Sequence, residues 1–359
     1  MAVVTIPWGD GSGDNIYLTY PSASGDQTVE MSSDANTGSI DRTKSITFTA
    51  SHHGTSSSKI LTVTQEGVKE PYIVFADATV GQICATNWGD GTGIRPSQAS
   101  QVTNSQFGTT FRNNTSITSF DELSYFKGLS QIPNNAFYGC SNLESVTIPE
   151  NVTTLGQQAF RGCSKLATIT LTNSITCTTN NTFNGCSVVS RVNVPSLAVW
   201  LGCTWAENGG PSFASSGIHL YINNTEVTAV TIPDSVTAVK TTAFRRCIGI
   251  TSVMFHNQVT SIGSYAFQYC SALTSMDVSA SVATIEGSCF QNAASSSSKA
   301  TYIFRATSPP TLGTYAFTNN NVNAIYVPYG TSATYKAATN WSSWKAKIVE
   351  LDQNGNIPT

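Results

Sequence analysis

Ala136-Phe137-Tyr138-Gly139-Cys140 is one copy of a phrase that recurs through most of this chain. The pattern Ala-Phe-x-x-Cys returns in three further places, at residues 159–163, 243–247 and 266–270. Variants that keep the Phe lie at residues 182–186, 289–290 and 316–317. An interval of 23 residues separates neighbouring Cys residues within two groups, Cys140, Cys163 and Cys186, and Cys247 and Cys270. A fixed period of this length indicates a stack of structural repeats.

Two short runs of alternating apolar and Thr or Ser residues fill the space between successive copies of the phrase. In one repeat they are residues 143–148 and 152–155, and Pro149 stops the first run. Alternation with a period of two over four to six residues predicts β-strands, and Pro ends them because it lacks a backbone donor. A unit of 23 residues cannot bury its own apolar face, so stacked units must share one core. We therefore predict a β solenoid of the leucine-rich-repeat type.

The cysteines are predicted to be core residues. There are nine of them, an odd number, so internal disulfides cannot pair them all. An even ladder of single Cys residues is not the spacing of a disulfide framework, and the close Cys pairs of zinc sites are missing from the sequence. Cys behaves as a small, soft apolar residue when buried. We expect these thiols to stack from one repeat to the next.

The two ends of the chain differ from the repeats. Residues 1–68 alternate Thr and Val around Ser- and Gly-rich turns, which predicts a small Ig-like β sandwich. Tyr335, Trp341 and Trp344 lie among Ala and Lys residues near the other end. They predict a short C-terminal helix that caps the last repeat, because terminal repeats need an atypical cover. The expected fold class is mainly β, a sandwich followed by the solenoid and its cap.

The predicted domain plan has four parts. The sandwich at residues 1–68 is followed by a linker at 69–79, the solenoid at 80–350 and a tail at 351–359. The repeats lose their regular spacing in an insert near 187–227, where the chain carries a Gly-rich loop. The apolar pattern resumes afterwards, so we interpret the insert as one long pair of repeats within a single solenoid.

Composition excludes several kinds of function. Charged residues make up 11% of the 359, against about 25% in typical globular proteins. The net charge of -3 argues against nucleic-acid binding, which needs a basic surface to displace counterions. No apolar run approaches the roughly 20 residues that span a bilayer, so membrane insertion is not expected. The amino end, with neither a basic start nor a long apolar stretch, is predicted not to be a secretory signal.

Residues 80–350 resemble the BspA-like, surface-antigen type of leucine-rich repeat that is found in gut anaerobes and parasites. The likeness rests on the repeated Ala-Phe-x-x-Cys, on Val-Thr-Ile-Pro-x-x-Val-Thr at 146–153 and 230–237, and on Leu220-Tyr221-Ile222-Asn223. Residues 1–68 resemble a short form of the Bacteroidetes-associated carbohydrate-binding (BACON-like) module, through residues 33–38 and 63–65. These resemblances imply adhesion or surface display, and they supply no catalytic residues.

Aromatic residues of the insert are the candidate ligand site. Sugars stack their apolar faces on Trp and Tyr, and insertions in a solenoid often form its binding surface. The candidates are Trp200, Trp205, Tyr221 and Asn208, the last at the start of the Gly-rich loop. Trp200 as a core residue and Tyr221 as a strand residue remain open alternatives. Thr147, Thr168 and Thr170 would add a wall of hydroxyl groups.

Metal, cofactor and catalytic motifs are weak. The loop at residues 87–93 carries Asp90, a candidate calcium ligand, but a calcium site needs about six or seven oxygens and this loop has one Asp. A Gly-rich turn is the alternative interpretation. We find no nucleophile elbow, phosphate loop or supported Ser/His/Asp set. The chain is predicted to be a protein without enzymatic activity and without a cofactor.

Two locations, and two roles as an adhesin or a structural spacer, remain at this point. A bacteriophage makes its proteins in the host cytosol and needs no secretory signal, so we favour exposure on a virion as a head decoration, fibre or tail adhesin. A secreted or cell-surface adhesin of a gut bacterium is the alternative, as is a structural spacer. The expected partners are glycans or a host-surface protein, with virion or envelope neighbours attached through residues 1–68. A homo-oligomer is left open.

Overall fold

The computed structural model describes residues 2–8, 13–20, 30–34, 42–52, 55–65, 70–177, 179, 181–206, 217–295 and 297–358. The chain divides into two compact units, residues 1–72 and 73–359. The predicted linker at 69–79 therefore includes Ile73 and Asp77, which belong to the second unit. The architecture is mainly β, with a leucine-rich-repeat solenoid in the second unit, as the sequence predicts.

The first unit is built from two antiparallel sheets. Its strands are β1 (Ala2–Pro7), β2 (Asn15–Tyr20), β3 (Glu30–Ser33), β4 (Arg42–His52) and β5 (Thr55–Gln65). Strands β1, β2 and β3 form one sheet in that order, and β4 and β5 pair as a hairpin. Trp8, Ile16, Leu18 and Ile46 form its buried core.

Arg42 links the sheets of this first unit. Its side chain is buried, with the guanidinium 4.6 Å from the centre of the Trp8 ring. Nη1 donates to Asp14 Oδ2 at 2.7 Å, and Nε donates to Gln65 Oε1 at 3.0 Å. A buried charge is stable when it is paired and hydrogen-bonded in this way.

The second unit begins with helices that cover the end of the solenoid. They are α1 (Ala78–Trp88), α2 (Pro96–Ala99), α3 (Asn104–Phe107) and a 3₁₀ helix (Asp121–Tyr125). Asp77 caps α1, because Oδ1 accepts from the backbone N–H groups of Thr79 (2.8 Å) and Val80 (3.3 Å). Oδ2 accepts from the backbone N–H and the hydroxyl of Thr118, at 2.6 and 3.0 Å. One carboxylate thus fastens the end helix to the chain that enters the repeats.

The repeats form two long sheets and two narrow ones. The five-stranded sheet consists of β7 (Ser145–Ile148), β9 (Thr168–Leu171), β11 (Arg191–Val194), β12 (His219–Ile222) and β13 (Thr225–Glu226). The six-stranded sheet consists of β14 (Ala229–Thr231), β16 (Ser252–Met254), β18 (Ser275–Val278), β20 (Ala300–Phe304), β22 (Val322–Val327) and β23 (Ile348–Glu350).

The narrow sheets carry the second strand of each repeat. One contains β6 (Gln131–Ile132), β8 (Thr154–Leu155) and β10 (Thr176–Cys177). The other contains β15 (Ala238–Val239), β17 (Ser261–Ile262), β19 (Thr284–Ile285) and β21 (Thr311–Leu312). Neighbouring strands in both narrow sheets are parallel, as expected when each repeat stacks on the one before it.

The recurring phrase forms the core. Phe137, Phe160 and Phe183 stack face to face with ring centres 5.2 Å apart, and Phe244 and Phe267 do the same in the second half. The thiols of Cys140, Cys163, Cys186 and Cys270 each donate to the carbonyl of an earlier Phe, as Cys163 Sγ does to Phe137 O at 3.1 Å. All nine Cys residues are buried and free. The predicted Phe and Cys columns are confirmed.

A short helix closes the far end of the solenoid, as predicted. It is α5 (Ser332–Ala337), followed by a 3₁₀ helix (Ser342–Lys347). Tyr335 and Trp341 are fully buried, and the Trp341 ring meets Phe304 edge-on with centres 4.9 Å apart. Trp341 Nε1 donates to Pro310 O at 2.8 Å, which satisfies the one polar atom of the indole.

Candidate functional site

The outer face of the five-stranded sheet gathers polar side chains into one row. Strand pairing places Thr147 beside Thr170, Thr170 beside Asn193, and Asn193 beside Tyr221. The alternate residues of each strand are buried, such as Val192 and Val194 in β11. Because side chains alternate across a strand, a buried inner face obliges this row to lie outside. The row is therefore available to a ligand.

Arg191 connects this row to the hairpin that follows it. Its guanidinium lies 3.8 Å from the centre of the Tyr221 ring. Nε donates to Asn193 Oδ1 at 2.8 Å, and Nη2 donates to Asn224 Oδ1 at 3.0 Å. The flat guanidinium presents its donors in a fixed fork, so it sets the orientation of both amide groups. Asn193 Nδ2 in turn donates to Thr170 Oγ1 at 3.0 Å.

The hairpin from β12 to β13 brings Asn224 to this place. Asn223 and Asn224 form its two-residue turn with φ angles of 49° and 62°. A two-residue hairpin of this kind needs positive φ at both positions, and Asn tolerates the left-handed region. His219 Nδ1 donates to Glu226 Oε1 at 2.5 Å across the hairpin, which fastens its two strands side by side.

A small pocket of about 320 Å³ lies beside the Arg191 contacts. Pro195 supplies its exposed apolar side chain, whereas Leu171 and Val194 border the pocket with their side chains buried in the core. Its polar lining consists of hydroxyl and amide side chains, those of Thr170, Thr172, Asn193, Asn223 and Asn224. In the described part of the chain, no charged side chain lines this pocket. Such a lining suits a neutral ligand that has both apolar and hydrogen-bonding groups.

The structure separates the four candidate residues of the insert. Tyr221 lies on the outer face, half-buried against Arg191. Trp200, in α4 (Leu197–Gly202), and Trp205 are core residues with 1% and 6% of their surface exposed. Their rings pack together at 5.5 Å between centres, so they offer no open face for stacking. The interpretation of both Trp residues as ligand contacts is thus corrected, and Asn208 lies outside the described residues.

The carboxylate of Asp90 accepts hydrogen bonds from the backbone of its own loop. Oδ1 accepts from the N–H groups of Thr92 (3.0 Å) and Gly93 (3.1 Å), which is a turn of the kind that Asp commonly closes. Oδ2 lies 3.8 Å from Arg95 Nη2. Among the residues that the structure describes, no group of three or more His, Cys, Asp or Glu side chains could hold a metal ion.

The helices of the described ranges are all too short or too polar to cross a bilayer. The longest of them, α1, has 11 residues. The virion location, the glycan partner and the carbohydrate-binding likeness of residues 1–68 stay predictions.

Sequence reasoning missed Arg191, Asn193 and Asn224. The signal for Asn193 was present, because the 23-residue period that joins Thr147 to Thr170 leads next to Asn193. Arg191 precedes it by two and therefore lies on the same face of the strand. Asn224 carries no such signal, since its place depends on how the insert folds back onto the sheet.

Comparisons with known proteins agree with the repeat architecture. The family model of the BspA type leucine rich repeat region matches residues 108–200 and 218–343 in six copies. No curated protein matches the chain.

Three solved structures of bacterial proteins are similar to parts of the chain. A leucine rich cell surface protein from Faecalibacterium prausnitzii shares 19% identity over 67% of this chain and 84% of its own, with a TM-score of 0.25. A leucine-rich repeat protein from Eubacterium ventriosum shares 18% over 57% and 65%, with a TM-score of 0.30. One from Bacteroides ovatus shares 15% over 68% and 86%, with a TM-score of 0.24.

The matched residues cover more than half of the chain, and they coincide with the stacked strands and the Phe and Cys columns described above. The match passes over residues 201–217, a part of the insert that begins with the last two residues of α4. The repeats on both sides of that gap carry the same core. The chain therefore belongs to the BspA-type leucine-rich repeat family.

Proposed function

We propose that this chain is a non-catalytic surface protein that binds glycans through the outer face of its five-stranded sheet. The observation that carries the proposal is the Arg191 network, which holds Tyr221, Asn193 and Asn224 in fixed positions. Sugars present paired hydroxyl groups beside apolar ring faces. Amide, hydroxyl and aromatic groups match that chemistry, and groups held in advance lose less entropy when they bind.

Display on a surface is supported by the family, whose likeness to surface antigens implies contact with other cells. We propose that the chain is exposed on the virion of a phage that infects gut bacteria, with residues 1–68 as the attachment unit. The bacterial cell envelope is the alternative location. Either location is supported by the presence, in one chain, of a surface-antigen type of repeat and a unit that resembles a carbohydrate-binding module.

The glycan proposal is tested on immobilised gastric mucin. Tyr221→Leu removes the ring under Arg191, so we expect the apparent affinity to fall about tenfold, the loss of about one good contact. Tyr326→Leu is the matched control, because Tyr326 is the half-buried outward Tyr of β22 in the six-stranded sheet. Mucin binding that is equal in both variants, or absent from the native protein, would favour a structural spacer.

The location is tested by immunogold labelling of the source culture, with particles and cells imaged together. Gold on phage particles supports the virion proposal. Gold confined to the cell envelope contradicts it and supports a bacterial adhesin. Because the mucin assay uses the purified chain, its outcome does not depend on which surface carries the label.

A further inference from the structure

The pocket beside Arg191 has a more specific chemistry than the face around it. We infer that it receives the acetamido group of a terminal N-acetylhexosamine, an inference that rests on the proposed glycan binding. An acetamido group combines a methyl, a carbonyl acceptor and an N–H donor within one planar unit. The pocket offers a partner for each of the three.

The apolar partner is the exposed ring of Pro195. Leu171 and Val194 also border the pocket, but their side chains are almost fully buried in the core and are not available to a ligand. A methyl group placed against Pro195 leaves water, which strengthens binding about fourfold in typical transfers of one carbon. Neutral sugars that carry a hydroxyl at the same ring position have no such group to bury.

The donors for the ligand carbonyl are set by existing hydrogen bonds. Thr170 Oγ1 accepts from Asn193 Nδ2, so the Thr170 hydroxyl proton is left to point elsewhere. Asn224 Oδ1 accepts from Arg191 Nη2, which turns its Nδ2 donor away from the guanidinium. Within the described residues, the Asn224 amide N–H groups have no partner of their own. Two donors are thus available at the rim.

The acceptor for the ligand N–H is Thr172. Its hydroxyl donates to Ile148 O at 2.9 Å, and this leaves the lone pairs of Oγ1 for an incoming donor. Thr172 is exposed and lies at the polar side of the pocket. The polarity of the rim is therefore fixed before a ligand arrives, with Thr170 and Asn224 as donors and Thr172 as acceptor.

The size of the pocket suits a single sugar residue. A volume of about 320 Å³ lies at the lower limit of small-molecule sites, which begin at about 300 Å³. That space admits one substituted sugar ring. The uncharged lining favours a neutral end group over an acidic one.

The test uses saturation-transfer NMR on the full chain with three probes: the methyl glycosides of N-acetylglucosamine, N-acetylgalactosamine and glucose. We expect the acetyl methyl protons to receive the strongest saturation, and the glucoside to receive little. Asn224→Gly removes the amide and keeps the turn, because Gly adopts the φ of 62° readily. Thr170→Val removes the hydroxyl and keeps a β-branched strand residue. Each substitution should weaken binding of the N-acetyl glycosides about five- to tenfold, which is the effect of losing about one hydrogen bond.

Asn323→Ala is the matched control. Asn323 Nδ2 donates to Thr301 Oγ1 at 3.2 Å on the six-stranded sheet, which repeats the Asn193–Thr170 contact away from the pocket. This variant should bind like the native protein. Acetyl saturation that survives Asn224→Gly and Thr170→Val unchanged would overturn the inference, as would equal saturation of the glucoside.

The mucin assay separates this inference from the function beneath it. If the native protein binds mucin but gives no acetyl saturation, the pocket assignment is wrong and the proposed glycan binding stands. If the native protein binds neither mucin nor any glycoside, both the pocket assignment and the proposed glycan binding are wrong.

Discussion

The five-stranded and six-stranded sheets have similar apolar inner faces, whereas their outer faces differ. On the five-stranded sheet the outer row consists of Thr147, Thr170, Asn193 and Tyr221. The equivalent row of the six-stranded sheet consists of Thr231, Met254, Asp277, Ile303 and Tyr326. Met254 is 56% exposed, and Asp277 is held by Arg305. The comparison teaches that the repeat constrains residues that face the core. The outer positions are free to differ, and in one half they form the candidate site.

The Phe columns provide the largest expected effect, and it should be the same in both halves. Phe160→Ala and Phe267→Ala each remove a fully buried, stacked ring, so we expect a loss of about 3–5 kcal/mol in unfolding free energy from either. Urea unfolding followed by fluorescence measures it. Thr168→Ala on the outer face is the control, with an expected change within about 0.5 kcal/mol. A much smaller loss in one half would break the equivalence of the two cores.

Each end of the solenoid has a carboxylate whose contribution to stability should depend on pH, and Asp77 is the more buried of the two. Burial raises the pKa of the Asp77 carboxyl, but its hydrogen bonds from Thr118, Val80 and Thr79 outweigh burial and hold the pKa below its usual range. Stability from Asp77 is therefore complete above the ordinary value of 3.8 and is lost as pH falls through the lower folded pKa. At the other end, Glu350 Oε1 accepts from the backbone N–H of Ser332 in α5 at 3.0 Å, and hydrogen bonds from Ser332 and Gly330 likewise lower its pKa, although Glu350 is less buried than Asp77.

Asp77→Asn tests this acid response. It replaces an acceptor of Thr118 by an amide, and we expect a cost of about 1–3 kcal/mol at pH 7. The difference from the native protein should shrink in urea titrations carried out below pH 3.8. Asp90→Asn, in an exposed turn, is the control. A cost that does not change with pH would show that the Asp77 charge contributes nothing.

Substitutions of Arg305 and Arg191, on the outer faces of the two long sheets, should separate an effect on stability from an effect on mucin binding. Arg305 forms a forked ion pair with Asp277, at 2.9 Å from Nε and 2.7 Å from Nη2, whereas Arg191 contacts a ring and two amide oxygens. Arg305→Met should cost up to about 1 kcal/mol, and less at high salt, because surface ion pairs are weak and screened. Arg191→Met should lose mucin binding, with a stability change that salt does not alter. A salt-dependent loss in Arg191→Met would contradict this division.

The smallest effect is expected from thiol reagents. Burial raises the pKa of Cys203 to about 11 and that of Cys140 to about 12, so neither forms thiolate at pH 8. Ellman's reagent should therefore detect no rapidly reacting thiol in the native protein and nine after unfolding in urea. Fast labelling of a Cys in one half alone would show that this half opens more readily.

The repeat core was predictable and the N-terminal helix was not. Phe137 and Cys140 return at a constant interval, and a constant interval in a solenoid means the same place in every turn. Helix α1 reads Ala-Thr-Val-Gly-Gln-Ile-Cys-Ala-Thr-Asn-Trp, where Thr, Val and Gly are poor helix formers. Burial of Val80 and Cys84 and the Asp77 cap stabilise it instead. Tertiary contacts overrode local propensity at this end.

The candidate site was predictable in part. Tyr221 was chosen for its aromatic ring, and it lies on the outer face beside Arg191. Trp200 and Trp205 were chosen for the same reason, yet they fill the core of the long repeat. Composition identifies residues that are able to stack on a sugar. It does not reveal which side of a six-residue helix such as α4 packs against the sheet.

Periodicity specifies the regular part of this protein, since residues 23 apart in the regular repeats occupy neighbouring rungs and Thr147, Thr170 and Asn193 form a row. The next member of the row, Tyr221, lies 28 residues after Asn193, and strand pairing alone reveals that the two are neighbours. The hairpin then returns Asn224 to Arg191. Local pattern encodes the stack because each rung repeats the same contacts. The site needed the folded chain, because its residues meet across an insert that obeys no period.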